Sequence, residues 1–135
     1  MVERSLPVEV DGLDHLVITV TDPTETERFY TRVLGMRRGV FGPGRVGLAF
    51  GQSRINLHRV GEERHPHARE PVAGSADICL VGTLGAVETI ERLRALGVEV
   101  EEGPVARFGA RGAMVSVYLR DPDDNLIEIA CYPDR

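Results

Sequence analysis

The chain is poor in aromatic residues and in cysteine. It contains no tryptophan, three tyrosines and four phenylalanines among 135 residues. A protein that captures flat molecules by ring stacking usually needs more aromatic surface. The two cysteines, Cys79 and Cys131, lie in apolar alternating stretches and are out of phase with each other across their strands. We therefore expect two buried thiols without a disulfide, in a reducing cytoplasm.

Long apolar runs and excess positive charge are also missing. No stretch of about 18 apolar residues is present, so we expect no membrane span. The first residues, 1–6, carry an acidic charge and no apolar segment, which argues against a secretory signal. The net charge is −5, which disfavours a nucleic-acid-binding surface. These absences point to an ordinary soluble protein.

An internal repeat organises the sequence. His15 interrupts an apolar stretch near the start, and Asp77 interrupts a similar stretch 62 positions later. Each stretch leads into a helical pattern that ends in Leu-Gly, at 34–35 and again 62 positions later at 96–97. The shift is the same for the strand and for the helix end. We infer a duplicated module, in which His15 and Asp77 occupy equivalent places.

Each half predicts a strand, a helix and three further strands. The first helix should begin at Pro23 after an Asp22 cap and end at Leu34 before Gly35. The second should span about 85–96. Residues 61–75 have no period and predict a linker. The predicted strands are 13–20, 36–41, 45–50, 54–60, 76–81, 98–101, 113–119 and 126–132. The apolar residues that the helices should bury are Phe29, Tyr30, Val33, Leu34, Val87, Ile90 and Leu93.

This order predicts an α+β fold of one domain over 11–132. Its modules, about 11–60 and 76–132, each read βαβββ, and helices cover one face of a mostly antiparallel sheet. The other face would be left concave. We therefore expect two tandem βαβββ modules that form a curled mixed sheet around a shared metal-binding cavity.

A metal is expected because carboxylates interrupt apolar strands. Glu128 does so in the last strand, as His15 and Asp77 do earlier, and alternation directs Asn56 and His58 to the same side. A buried carboxylate is costly unless it is paired or coordinates a cation. A divalent ion would satisfy both carboxylates and use neutral imidazole nitrogens. The fourth ligand, His58 or Asn56, stays open.

Each residue also has a simpler interpretation. His15 alone could be a hydrogen-bonded core histidine. Asp77 could cap a turn, and Glu128 could pair with Arg54 or Arg120. The segment 42–47 matches the dinucleotide-binding glycine pattern, but it precedes a strand and predicts only a turn. The common register of the two halves favours the metal site over these readings.

The same residues resemble the vicinal oxygen chelate superfamily, which contains glyoxalase I, the bleomycin and fosfomycin resistance proteins and the extradiol dioxygenases. Three segments carry the resemblance: 13–16, Phe29-Tyr30 before Leu34-Gly35, and 121–128. It extends over about 11–132 and is closest to small glyoxalase-domain proteins with Ile-Asn-Leu-His and Gly-Ser-Ala-Asp segments, here at 55–58 and 74–77.

The resemblance implies one divalent metal per chain (Zn, Ni, Fe or Mn) and a homodimer. Its metal positions correspond to His15, Asp77 and Glu128, with Asn56 where glyoxalase I has a glutamate and His58 as the nearest substitute. Glu128 and His58 would then serve catalysis. We expect the substrate site to include Phe50, Asn56, Ser116 and Tyr118.

Two functions follow as hypotheses. The first is a lyase, isomerase or oxygenase whose metal chelates adjacent oxygens of a small substrate. The second is a metal-free drug- or metabolite-binding protein of the bleomycin-resistance kind. Inward acids on strands are unnecessary for such a binder, so the enzyme is favoured. Neither function involves nucleic acid or a membrane.

Overall fold

The computed structural model describes residues 5–133. These form an α+β fold with two helices and two four-stranded mixed sheets, one in each half of the chain. Within this range no helix is long and apolar enough to cross a membrane. The predicted fold class and the duplicated βαβββ order are therefore confirmed.

The first module contains β1 (His15–Val20), α1 (Pro23–Leu34), β2 (Arg37–Phe41), β3 (Arg45–Phe50) and β4 (Ser53–Arg59). Its sheet has the order β1-β4-β3-β2, in which β1 runs parallel to β4 and the other pairs are antiparallel. The parallel pair requires the crossover that α1 supplies. In this strand order β1 lies at one edge of the sheet.

The second module repeats this arrangement. It contains β5 (Asp77–Val81), α2 (Ala86–Ala95), β6 (Glu102–Gly109), β7 (Gly112–Arg120) and β8 (Leu126–Cys131). The order is β5-β8-β7-β6, again with the first strand parallel to the last and at the edge. His15 and Asp77 begin β1 and β5, so the register inferred from the sequence is correct.

The ends of α1 follow from local chemistry. The Asp22 side chain accepts a hydrogen bond from the Thr24 amide at 3.0 Å, and Pro23 occupies the first turn. At the other end Gly35 adopts φ 67°, the left-handed conformation that glycine takes without a Cβ clash. These caps explain why α1 has the predicted bounds.

The helix-facing surfaces of both sheets meet in one hydrophobic core. This core includes Ile18 and Ile55 from the first sheet and Ile127 and Ile129 from the second. Because strand side chains alternate, the residues between these point away from the core. The residues predicted to form the site therefore lie on two outward sheet surfaces.

We call these surfaces the first and second polar faces. The first polar face comprises His15, Val17, Thr19, Arg37, Gly39, Phe41, Arg45, Gly47, Ala49, Arg54, Asn56 and His58. The second comprises Asp77, Cys79, Val81, Glu102, Val105, Arg107, Ser116, Tyr118, Arg120, Leu126, Glu128 and Ala130.

A buried polar clamp joins the modules. The Tyr30 hydroxyl in α1 donates to Asp121 Oδ2 at 2.7 Å, in the turn before β8. Three further donors reach the same carboxylate, namely the Asp123 amide and the amide and side-chain nitrogens of Asn125. Asp121 is only 4% exposed, so a full set of donors is what makes its burial tolerable.

Three sequence predictions need correction. Residues 98–101 form no strand; the strand of this region is β6, which begins at Glu102, because the segment that follows 98–101 is the one that pairs with β7. Val87 faces solvent and is 67% exposed, whereas Ile90 and Leu93 are buried as predicted. Of the cysteines, Cys131 is buried but Cys79 is exposed; both are free thiols.

Candidate functional site

His15 begins β1 and is oriented by its neighbour. Its Nδ1 atom lies 2.8 Å from Asp14 Oδ1, and 41% of the side chain is exposed. The interpretation as a core histidine is therefore wrong. The hydrogen bond with His15 lowers the pKa of the Asp14 carboxyl. A carboxylate on Nδ1 leaves Nε2 available, which is how metal-binding histidines are commonly held.

Glu128 lies in the middle of β8 on the second polar face. Ser116 in β7 is fully buried and donates its hydroxyl to Glu128 Oε2 at 2.5 Å. Ser116 thus orients Glu128 and is not exposed for direct contact with a ligand. Tyr118 faces Glu128 across the same strand pair, and its hydroxyl accepts from Arg107 Nε at 3.2 Å.

Cys79 stands beside Glu128 in the adjacent strand. Partial burial, followed by the charge and hydrogen bond of Glu128, raises the pKa of the Cys79 thiol to about 11. The thiol is therefore neutral at physiological pH. Asp77 begins the same strand, is exposed, and also contributes to this effect. The second polar face thus carries two carboxylates, Asp77 and Glu128, close to a neutral Cys79 thiol.

Asn56 lies at the centre of the first polar face and is 7% exposed. Its Oδ1 atom accepts a hydrogen bond from Arg54 Nε at 2.8 Å. The Arg54 guanidinium in turn stacks over the Phe41 ring at 3.8 Å. Arg54 would therefore compete with a metal ion for the Asn56 oxygen. His58 is the better candidate for a further ligand.

His58 is half-buried at the end of β4. Burial, followed by the nearby Arg45 and Arg64 side chains, lowers the pKa of its imidazole. A cavity of about 340 Å³ lies beside it, between β1 and the linker 61–75. Polar residues that line this cavity are Thr19, His58, His67, Glu70, Ser75 and Asn125.

Phe50 does not lie with the other predicted substrate residues. It packs against the hydrophobic core on the helix side of the first sheet, because it alternates with residues of the polar face. It lines a larger, mainly apolar cavity of about 1010 Å³ between the two modules. Phe50 therefore lies outside the two polar faces.

Within residues 5–133, no three His, Cys, Asp or Glu side chains are spaced to hold a metal ion. His15 and His58 are on the first polar face, whereas Asp77 and Glu128 are on the second. The expected convergence of these four residues is thus not seen inside one chain. Each polar face carries half of the predicted set.

Among residues 5–133, Glu128 forms neither of the two ion pairs that the sequence offered as a simpler interpretation. Arg120 pairs with Glu101 at 2.8 Å, and Arg54 bonds to Asn56. The hydrogen bond from Arg120 lowers the pKa of Glu101.

The sequence interpretation missed the unit formed by Arg54, Phe41 and Asn56. Gly39 and Gly47 could have indicated this unit, because a glycine inside a predicted strand often marks a place where another group lies close to the backbone.

Comparison with known proteins agrees with this fold. Residues 12–129 match the family model of the glyoxalase/bleomycin resistance protein/dioxygenase superfamily. The glyoxalase domain-containing protein RDO1 of Mycosarcoma maydis is 48% identical over 127 residues, covering 94% of this chain and 72% of that protein. The virulence protein STM3117 of Salmonella typhimurium is 43% identical over 129 residues, covering 96% and 90%.

Solved structures give the same result. An integron cassette protein from the mobile metagenome of V. Pseudocholerae superposes with a TM-score of 0.91 at 46% identity, covering 94% of this chain and 98% of that one. The chain belongs to the glyoxalase/bleomycin resistance protein/dioxygenase superfamily.

Proposed function

We propose that the protein is a metal-dependent enzyme that acts on a small molecule with adjacent oxygen atoms, as a lyase, isomerase or oxygenase. The observation that carries this proposal is Glu128. It is a half-buried carboxylate on a strand interior, held at 2.5 Å by the buried Ser116 hydroxyl. Arg107 is close enough for its charge to act on Glu128 but forms its ion pair with Glu102, and no arginine forms an ion pair with Glu128 among the described residues. An oriented carboxylate without a direct ion pair is suited to bind a cation.

The residues present suit a divalent transition metal. His15 is already oriented by Asp14 and offers Nε2, His58 offers a second imidazole, and Asp77 and Glu128 offer carboxylate oxygens. This mixed nitrogen and oxygen set suits zinc, nickel, iron or manganese. The metal would polarise substrate oxygens and stabilise a developing oxyanion.

We further propose that the complete site forms between two copies of the chain. The two polar faces point away from a common core, so neither can complete the other within one molecule. Within residues 5–133, strands β1 and β5 each leave one edge unpaired, and their outward residues Val17 and Val81 are 43% and 44% exposed. A partner that covers these edges would prevent their unpaired backbone groups from pairing with other chains in aggregates.

The charges of the two faces support this pairing. The strand positions of the first polar face include Arg37, Arg45 and Arg54 and no aspartate or glutamate. The second face presents three acidic residues and two arginines, so its formal charge is negative but smaller, from Asp77, Glu102, Glu128, Arg107 and Arg120. Placing the first face of one copy against the second face of another would join surfaces of opposite net charge and bring His15 to Glu128. A homodimer related by a twofold axis would contain two such sites.

Catalysis in this proposal rests on Glu128 and His58. Glu128 would bind metal and accept or return a substrate proton, and Ser116 would fix its carboxylate by the observed hydrogen bond. The lowered pKa of His58 favours a neutral imidazole, which can also accept a proton. We place the enzyme in the cytoplasm, where its two free thiols stay reduced.

A second candidate is a metal-free binding protein. The mainly apolar cavity of about 1010 Å³ between the modules favours it, since such a volume accommodates a small organic molecule. This candidate does not explain the oriented pair Ser116 and Glu128, so we rank it second. Thermal stabilisation by drugs but not by metals would reverse the order.

The test of the first candidate is metal analysis of protein purified without chelators or a metal-binding tag. We expect about one divalent transition metal per chain in the wild type, as in a catalytic site of this ligand type. Glu128→Gln removes a charge with little change of shape and should lose most of the metal. Glu101→Gln makes the same chemical change at a surface ion pair and should keep it. Equal metal in all three proteins would contradict the proposed site.

A further inference from the structure

Arg54 is held in an unusually defined position for a half-buried arginine. Its Nε atom donates to Asn56 at 2.8 Å, and its guanidinium carbon lies 3.8 Å from the centre of the Phe41 ring. Among the described residues Arg54 forms no ion pair, and its two terminal nitrogens make no hydrogen bond. The outer fork of the guanidinium is therefore free for a ligand.

The backbone beneath Arg54 is shaped to hold this arrangement. The Phe41 ring lies across Gly39 and Gly47 of neighbouring strands. A Cβ added at Gly47 would stand 2.7 Å from the Phe41 ring and 2.9 Å from Asn56 Oδ1, and one at Gly39 would stand 3.0 Å from the ring. Either side chain would force the ring or the amide to move. The glycines thus allow the ring to support the arginine.

The location of Arg54 connects it with the proposed site. Arg54 pairs in register with His15 across β1 and β4, and both lie on the first polar face. Its charge also acts on Asp14, the partner of His15. A group bound to the Arg54 fork would consequently lie next to a metal held by His15.

We propose that Arg54 binds a carboxylate of the substrate, so that the substrate class is small organic acids whose carboxylate stands beside the chelating oxygens. This inference rests on the proposed function and refines it. A planar guanidinium fork matches a carboxylate by two parallel hydrogen bonds, and stacking on an aromatic ring leaves that fork exposed. All 16 cationic residues of the chain other than histidine are arginines, so no lysine can substitute for this recognition.

The test measures anion binding to metal-free protein, which separates it from the metal proposal. The probe is malonate, titrated calorimetrically into chelator-treated protein, with malonamide as the neutral analogue and inorganic phosphate as the second anion. The Arg54 Nε resonance, assigned by its loss in Arg54→Lys, should shift with malonate. Malonamide should not bind, and phosphate should bind more weakly than malonate.

Variants then identify the residue responsible. Arg54→Gln should weaken malonate binding at least about tenfold, the effect expected for a lost charge-assisted pair. Arg54→Lys should not restore it, because an ammonium lacks the fork, and Gly47→Ala should weaken it by displacing Phe41. Arg28→Gln, which removes the same charge from a surface ion pair on α1, should bind as wild type does.

Three results would overturn the inference: unchanged malonate affinity in Arg54→Gln, equal binding of phosphate and malonate, or an Nε resonance that malonate does not move. Urea unfolding of each variant separates loss of binding from loss of fold. Glu128→Gln should retain malonate binding even where it loses metal. Failure of the metal site would therefore leave this test intact.

Discussion

The hydrogen bond between Tyr30 and Asp121 should contribute strongly to stability, and Tyr30→Phe tests it. The two residues are 0% and 4% exposed, and the bond of 2.7 Å joins a helix of one module to a turn of the other. A hydrogen bond to a buried charged group is worth about 1.5–3 kcal/mol. The substitution keeps the ring in the core, so we expect the free energy of unfolding to fall by about that amount.

The assay is urea unfolding followed by circular dichroism at neutral pH. Tyr118→Phe is the control, because its hydroxyl only accepts a longer bond of 3.2 Å from Arg107 at a half-buried position. It should cost about 0.5 kcal/mol or less, the usual effect of a surface substitution. A loss in Tyr30→Phe no larger than that of the control would refute the role given to the clamp.

The pH dependence of the free energy of unfolding gives a second test of the hydrogen bond between Tyr30 and Asp121. Burial, followed by the Asp121 charge, raises the pKa of Tyr30 above its ordinary value of 10.0. Above that pH the unfolded chain loses the Tyr30 proton while the folded chain keeps it, so the wild type loses stability as pH rises. Tyr30→Phe should remove this part of the alkaline loss.

Two further predictions follow from the titratable groups. Cys79, with a pKa of about 11, should react slowly with iodoacetamide at pH 7.5 despite its exposure. Glu128→Gln should accelerate alkylation of Cys79 in the metal-free protein. An unchanged rate would show that the Glu128 charge does not act on the thiol. Arg120 lowers the pKa of Glu101 from 4.5, so the contribution of this ion pair to stability should be present above that pH and decline below it. Thermal unfolding of Glu101→Gln should then show a smaller acid loss than wild type, and equal losses would exclude the effect.

Most of the fold could be predicted because it depends on local patterns. The bounds of α1 follow from Asp22, Pro23 and Gly35, and β3 has the bounds that its alternation predicted. The duplicated register placed His15 and Asp77 at equivalent strand starts. The error at 98–101 arose because short apolar alternation resembles a strand, whereas pairing with β7 selected the following segment.

The site was less predictable because its geometry depends on packing between distant segments. Alternation placed Asn56 and Glu128 on sheet faces, but it could not show that both faces turn away from one core. It also treated Arg54 as a possible partner of Glu128, whereas the Phe41 ring and Asn56 hold it on the other sheet. The hydrogen bond from Ser116 to Glu128 could not be predicted either, because it depends on the register between β7 and β8.

Subunit complementation tests the central claim, a metal site divided between two chains, most directly. His15→Ala and Glu128→Gln would be co-expressed with different tags that do not bind metal, and the heterodimer isolated through both tags. In a divided site one of the two sites then has both mutations and the other has neither.

The account predicts that each variant alone binds little metal, whereas the heterodimer binds about one metal ion per dimer, roughly half of the wild-type content. A heterodimer that binds no more metal than the two parent variants would contradict a divided site. So would a wild-type protein that sediments as a monomer at every concentration while it holds its metal.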